Sequence, residues 1–351
     1  MTGATLHAPV VSVCIPTYNG RTYLSACIES VQAQTFTDFE VVVCDDQSSD
    51  GTLELARQLV AADVRFRFIA NPRRFGLVGN WNNCIRQARG EWIKFLFQDD
   101  TIEPACIEKL LDACQAHHKP LGFCGRNLIF EQGTSAQRRD WFLEHKVKIT
   151  DTWLSHPVIE PERAIRILAQ DTELNLVGEP TATLIRKSVF AELGEFDEAL
   201  IQACDLEFWF RVMTNYGAVF VPEALAAFRV HLQATTALNH SKREYRALVL
   251  DGLLVRYRLA FGRHYRSLRR RGATEKSALT RRLDCMMFAA YARRQASRRT
   301  DAGSLSGEDV FGEWRAVLLR YPRLRLLAAL GTVAHHFHNL TRAIGLNASP
   351  L

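Results

Sequence analysis

The stretch FEVVVCDDQSSDGT, residues 39–52, decides the fold. Its first half, Phe39 to Cys44, is an apolar run interrupted only by Glu40 and without alternation, the pattern of a strand covered on both faces. Its second half gathers turn and helix-start residues, from Asp45 and Asp46 through Ser48, Ser49, Asp50 and Gly51 to Thr52. The same strand-then-helix unit recurs on either side. Pro9 to Ile15 is a short valine-rich run ended by the turn Pro16-Thr17-Tyr18-Asn19-Gly20. Leu24, Cys27, Ile28 and Val31 then fall on one helix face. A helix through Leu55 and Leu59, a strand from Phe66 to Ala70 and a helix from Trp81 to Ala88 follow. Glu91 to Phe97 (EWIKFLF) again reads as a buried strand and stops at Gln98-Asp99-Asp100; Ile107, Leu110, Leu111 and Cys114 mark the next helix. Such alternation with short connections predicts right-handed crossovers and a mostly parallel sheet.

Ligands of such sheets bind beyond the carboxyl ends of the strands. Three strand ends here deliver Pro16 with Tyr18, Asp45 with Asp46, and Asp99 with Asp100 to one rim. Helix capping accounts for Ser48 and Asp50. It accounts poorly for Asp99 and Asp100, because adjacent like charges at the end of a buried strand repel and desolvate badly. A hard divalent cation relieves both costs and prefers carboxylate oxygens. Arg73 and Arg74, in the loop after the Phe66 strand, are either helpers of an anionic ligand or a solvated surface pair.

The chain has 351 residues, 47% of them hydrophobic and 23% charged, which excludes a disordered or fibrous protein. Nine scattered cysteines without a CxxC pair argue against a disulfide framework or zinc ribbon and for a reducing, cytoplasmic compartment. MTGATLHAPV lacks the basic and apolar regions of a signal peptide. No run approaches the roughly 18 apolar residues of a membrane span. Charge divides unevenly: residues 1–236 carry 22 Lys/Arg against 30 Asp/Glu, and residues 237–351 carry 22 against 8. The second region, net +14 against −8, is expected to seek an anionic surface or to form a solvated basic face.

VSVCIPTYNGRTYL (11–24), QTFTDFEVVVCDDQSSDGT (34–52), the segment Asn80 to Asp100 and DLEFWFR (205–211) together resemble the family 2 glycosyltransferases. The resemblance covers roughly residues 9 to 236. It implies an α/β GT-A fold, inverting chemistry and a nucleotide-diphospho sugar donor, UDP- or dTDP-linked. It implies that Pro16 and Tyr18 line the base pocket, with Tyr18 stacking. Asp46 would accept the ring N–H of uracil or thymine, Asp45 would shape the loop or meet the ribose, and Asn82 would help hold the nucleotide. Asp99 would lie near the ribose, and Asp100 would bind Mn²⁺ or Mg²⁺ on the diphosphate. Two positions depart from the pattern: Phe97 stands where a further acidic residue is frequent, and Trp81 where a basic one is.

On the acceptor side, Gly178-Glu179-Pro180-Thr181 to Arg186 and Gly194 to Leu200 resemble the stretch that leads to the base. Asp205 matches that base, with Glu207 as rival. Arg229-Val230-His231, after an expected edge strand from Val219 to Phe228, resembles the Arg-x-His of these domains, which puts His231 by the metal or diphosphate. The paired histidines 117–118 and 335–336 read as surface residues. Beyond residue 236 the chain reads as helical, with a break at Gly272, a linker from Asp301 to Asp309 and an amphipathic stretch from Trp314 to Ile344. The expected organisation is a catalytic domain (1–236) and a basic helical region (237–351). The acceptor would be a lipid-linked or surface polysaccharide, with no nucleic acid partner. A nucleotidyltransferase, or a non-catalytic membrane-associated relative, are the competing readings.

Overall fold

The computed structural model describes residues 8–144, 156–234, 237, 244–271, 275–301 and 309–343. The chain divides into two units: Met1–Glu198 with Cys204–Ala234, and Ala199–Ala203 with Thr235–Leu351.

The first unit is built on a mixed sheet whose strands, among the described residues, are β1 (Val11–Thr17), β2 (Phe39–Asp45), β3 (Phe66–Ala70), β4 (Trp92–Phe95), β5 (Thr101–Ile102), β6 (Leu121–Phe130), β7 (Val158–Ile159), β8 (Thr183–Arg186) and β9 (Ala218–Val230). Their order is β3-β2-β1-β4-β8-β6-β9-β5, and β7 also pairs with β9. The helices of this unit are α1 (Leu24–Gln32), α2 (Thr52–Leu59), α3 (Gly76–Gln87), α4 (Cys106–Ala116), α5 (Ala136–Phe142), α6 (Pro161–Gln170), α7 (Ser188–Leu193) and α8 (Cys204–Tyr216).

Only β3, β2, β1 and β4 form the expected parallel block. β8 is antiparallel to both β4 and β6, but β6 and β9 pair in parallel, so six of the nine strands among the described residues run one way and only β5, β7 and β8 run against them. β9 is not an edge strand: it pairs with β6 on one side and is covered on the other by the two-residue strands β5 and β7. β4 also ends at Phe95, two residues earlier than expected, because Phe97 turns out to stack on Trp81 with ring centroids 4.7 Å apart. Both departures from the acidic-and-basic pattern therefore belong to one aromatic cluster, closed by Phe95 and Phe196.

Chain reversal occurs between β1 and β4: β2 and β3 lie to one side of β1, and β4 to the other. The carboxyl ends of β1 and β4 are thus the topological switch point at which open α/β sheets bind ligands. The core beneath is apolar, drawn from Val13, Ile15, Val41, Val43, Leu110 and their neighbours. All nine cysteines are buried and free.

The second unit comprises a π-helical turn (Arg246–Leu250), α9 (Asp251–Phe261), α10 (Arg266–Arg271), α11 (Glu275–Asp301), α12 (Val310–Arg320) and α13 (Arg323–Ala343). Cys285, Ala289, Ala292 and Ala296 give α11 a buried face at helical spacing, packed with Tyr245, Leu253, Trp314, Leu324 and Ala328. Gly331 allows α13 to approach α11 closely, since a Cβ there would lie 2.4 Å from the Met286 carbonyl. Asp251 accepts hydrogen bonds from three consecutive backbone N–H groups, Ile201, Gln202 and Ala203, at 2.9, 2.6 and 2.9 Å. The stretch expected from Trp314 to Ile344 is two helices broken at Tyr321-Pro322, where proline cannot continue the first. Gly272, residues 302–308 and Ile344 lie outside the described residues, as do the side chains of His335 and His336. No described helix is long and apolar enough to cross a membrane.

Candidate functional site

The rim is built by loops that leave the carboxyl ends of β1, β2, β3 and β4. Tyr18, after β1, is locked to Gln98, after β4, by two hydrogen bonds: Tyr18 N to Gln98 Oε1 at 2.9 Å and Gln98 Nε2 to Tyr18 O at 3.0 Å. The Tyr18 ring is 37% exposed, and the Arg74 guanidinium lies over it at 3.9 Å from the centroid. Arg74 therefore belongs to the rim.

The two acids after β2 are buried and saturated differently. Asp45 accepts from Thr17 Oγ1 (2.9 Å), Ser48 Oγ (2.6 Å) and Ser48 N (2.9 Å), and so shapes the 45–52 turn. Asp46 Oδ1 accepts from Asn71 Nδ2 (2.9 Å) and Phe75 N (2.7 Å), and its Oδ2 accepts from Gly76 N (2.8 Å). It thus sits against the N-terminus of α3, where helix N–H groups favour an anion. With three of about four acceptor positions used, Oδ2 is the oxygen with room for another donor.

Asn82 does not join this rim. It is 1% exposed, donates to the Phe196 carbonyl at 2.9 Å and accepts from the Phe196 N–H at 3.1 Å, which ties α3 to the 194–198 loop. Its neighbours hold the rim instead. Asn80 bonds the Cys44 carbonyl and Asn71, and Asn83 bonds Asn71, at 2.8 to 2.9 Å. Asn80 and Asn83 are at i and i+3 on the helix, so they share a face that Asn82 lacks.

Asp99 and Asp100 follow β4. Asp100 is 1% exposed; its Oδ2 accepts from Thr181 Oγ1 at 2.7 Å and its Oδ1 from Arg229 N at 3.0 Å. Burial first, and the charge of Asp99 second, push its carboxyl well above the usual range. Asp99 Oδ2 meets His231 Nε2 at 2.9 Å, and Arg229 Nε donates to the Asp99 carbonyl. His231 Nδ1 is buried without a hydrogen-bond partner among the described residues. In the tautomer whose Nε2–H donates a hydrogen bond to Asp99, Nδ1 carries a lone pair.

Sequence reasoning missed the supports of this pair. Thr181 Oγ1 also accepts the Phe97 N–H at 3.3 Å, and its carbonyl receives Lys94 Nζ, a side chain with 0% exposure. A lone lysine inside EWIKFLF was the available signal. Arg126 forms a buried pair with Glu179 at 2.6 Å and is re-aimed by a bulge at Gly125, where a Cβ would meet the Pro222 carbonyl at 2.7 Å.

Asp205 opens α8, half-buried, and accepts from Asn175 Nδ2 at 3.1 Å and Leu206 N at 2.7 Å. Glu207 is 2% exposed and engaged by Arg211 at 2.8 Å, an i,i+4 pair on the other side of the helix. His117 and His118 are exposed at the end of α4.

The groups at the acidic pair are two carboxylates and the His231 imidazole, whose Nε2 meets Asp99. This chemistry suits a hard divalent cation. Among the described residues no three His, Cys, Asp or Glu side chains form a group that could hold a metal ion by themselves. Such a cation would complete its shell with ligands from outside the chain.

The family model for glycosyl transferase family 2 matches residues 12–194. The chain belongs to glycosyl transferase family 2. It is a glycosyltransferase, and its mixed sheet flanked by helices is the GT-A fold. An uncharacterized protein of Mycobacterium tuberculosis is 30% identical over 227 residues, which is 65% of this chain and 69% of that one. The GalNAc(5)-diNAcBac-PP-undecaprenol beta-1,3-glucosyltransferase of Campylobacter jejuni is 38% identical over 127 residues. That match takes in 36% of this chain and 40% of the Campylobacter enzyme. A mannosyltransferase of Pyrobaculum calidifontis, solved with GDP-Man and Mn²⁺, has the same fold with a TM-score of 0.54 at 17% identity, covering 93% of this chain and 88% of that one.

Proposed function

We propose that this transferase is a metal-dependent inverting enzyme that moves a sugar from a nucleotide-diphospho donor, UDP- or dTDP-linked, to a hydroxyl of a lipid-linked or surface polysaccharide. The observation that carries this reading is the Asp99–Asp100 pair at the switch point of the sheet, in which Asp100 is buried beside a second acid with two neutral donors, a hydroxyl and a backbone N–H, on its carboxyl. Residues 1–236 would form the catalytic domain and 237–351 a basic helical appendage.

Tyr18, with Pro16 behind it, offers a stacking surface for the base, and Arg74 would move aside or clamp it. Asp46 Oδ2 is the acceptor for a ring N–H, Asp45 holds the loop beneath, and Asp99 faces the ribose. Asp100 and His231 would hold Mn²⁺ or Mg²⁺; bound there, the ion would stabilise the charge of a departing diphosphate as a Lewis acid. Both the glucosyltransferase and the mannosyltransferase above support a sugar donor, and the latter supports Mn²⁺.

Asp205 is the base. Its carboxylate takes the acceptor hydroxyl's proton as that oxygen attacks the anomeric carbon from the face opposite the leaving group; the C–O bond to the nucleoside diphosphate breaks and the configuration inverts. The buried pairing of Glu207 with Arg211 at 2.8 Å supports Asp205 over Glu207. The test is Asp205→Asn: turnover should fall about 10²–10⁴-fold, the range for a lost general base, while nucleotide affinity holds. Wild-type turnover would remove Asp205 from the role.

The second unit suits the cytoplasmic face of an anionic membrane. Leu283, Met287 and Tyr291 repeat every four residues on α11, away from its buried alanine face, and are 39% exposed each. Arg282, Arg293 and Arg298 are exposed on the same helix, and Leu326, Leu330 and Val333 are exposed on α13. Apolar side chains flanked by arginines are what an amphipathic helix presents to anionic lipid.

A further inference from the structure

The segment Leu174–Val177 reads as apolar, with one exception. Leu174, Leu176 and Val177 are buried at 8, 2 and 0% exposure, and Asn175 is the polar residue they present. Its amide is used at both ends. Oδ1 accepts the Gly178 N–H at 2.9 Å, which fixes which way the amide faces, and Nδ2 then donates to Asp205 Oδ2 at 3.1 Å.

The same segment is fastened to α8 a second time. Trp209, one turn after Asp205 on the same helix face, donates its indole N–H to the Gly178 carbonyl at 2.8 Å. Gly178 has φ of +85°, where any side chain is strained, and a Cβ there would displace the Arg126 guanidinium. Three residues on, Thr181 holds Asp100. One short strap thus grips Asp205 at one end and the acidic pair at the other. Six peptide units span at most about 20 Å, so the strap bounds how far apart the two carboxylates can sit.

We infer that Asn175 is a positioning residue for Asp205, its side-chain N–H fixing the plane of the carboxylate and favouring its ionised form. The inference rests on the reading of Asp205 as the base. A hydrogen bond given to a carboxylate stabilises the charged state, so Asn175 keeps Asp205 ready to take a proton at lower pH. It also stops the carboxylate from rotating against the helix N-terminus, which would move the accepting lone pair off the acceptor hydroxyl.

Titration of Asp205 by carbon-13 carboxyl NMR tests this without any substrate, with Asp205→Asn used to assign the signal. Asn175→Asp keeps the acceptor for Gly178 N–H and therefore the turn, but replaces the donor by a like charge. Asn175→Ala removes both. Asp205 should titrate about one unit higher in Asn175→Ala than in the wild type, and higher still in Asn175→Asp. In both variants the acidic limb of kcat should move up in pH by the same amount, with KM for the nucleotide sugar unchanged. Equal titration of Asp205 in all three proteins overturns the inference, whatever turnover shows. Wild-type turnover by Asp205→Asn would instead overturn the base reading and leave the measured hydrogen bond standing, so the two failures are distinguishable.

Discussion

Asp100 shows how one residue carries a site. Its carboxyl is buried, next in sequence to a second acid, and held only by a threonine hydroxyl and a backbone N–H. Those two neutral donors do not offset burial and repulsion, and the carboxyl is left well above its usual range. A bound cation would bring it back down. Thr181→Val removes the hydroxyl and keeps the shape. Metal-supported nucleotide binding should then weaken by about 1–3 kcal/mol, the cost of leaving a buried polar group unsatisfied, with binding in the absence of metal unchanged. Titration calorimetry with UDP and Mn²⁺ measures this. Equal affinity would show that Thr181 does not support the metal carboxylate.

At the scale of elements, the polar links decide more than the elements themselves. Asp251, at the start of α9, accepts three consecutive backbone N–H groups, yet burial still raises its carboxyl to about 6. The folded protein therefore holds this proton more tightly than the unfolded chain. The stabilisation is full below the unfolded value of about 4 and is lost as pH rises through about 6, a swing of about 2 to 3 kcal/mol. Asp251→Asn does not titrate, so between pH 4 and 6.5 the wild type should lose stability relative to it. Parallel stability curves in thermal or urea unfolding would contradict the assignment. The elements were largely legible: FEVVVC is buried as β2, and the Leu24-Cys27-Ile28-Val31 face is buried as α1. The strap was not. Asn175, Lys94, Arg126 and Gln98 act through partners 30 to 87 positions away, and no local spacing encodes such contacts. The reversed direction of β8 was equally invisible, because strand direction depends on the path of the chain and not on the strand's apolar pattern. Asn82 lies off the rim for a related reason: in an asparagine-rich helix the face decides the contacts, and that face turns to Phe196.

At the scale of the whole molecule, the charge division is the leading fact: −8 over residues 1–236 and +14 over residues 237–351. Truncation at residue 257 would cut through the core that Tyr245, Leu253 and Ala289 share, so point variants are the proper probe of the basic region. Met287→Glu with Arg298→Gln should weaken binding to phosphatidylglycerol vesicles several-fold, with wild-type binding falling as salt is raised. Equal sedimentation of both proteins with these vesicles would rule out this face.

The central claim is a metal-dependent nucleotide-diphospho-sugar site at the carboxyl ends of β1 and β4. Calorimetric titration of UDP into the wild type and Asp100→Asn, each with and without Mn²⁺, tests it most directly. The expected result is binding that requires Mn²⁺ in the wild type and is lost in Asp100→Asn. UDP binding of equal strength in all four titrations, or in none, would contradict it.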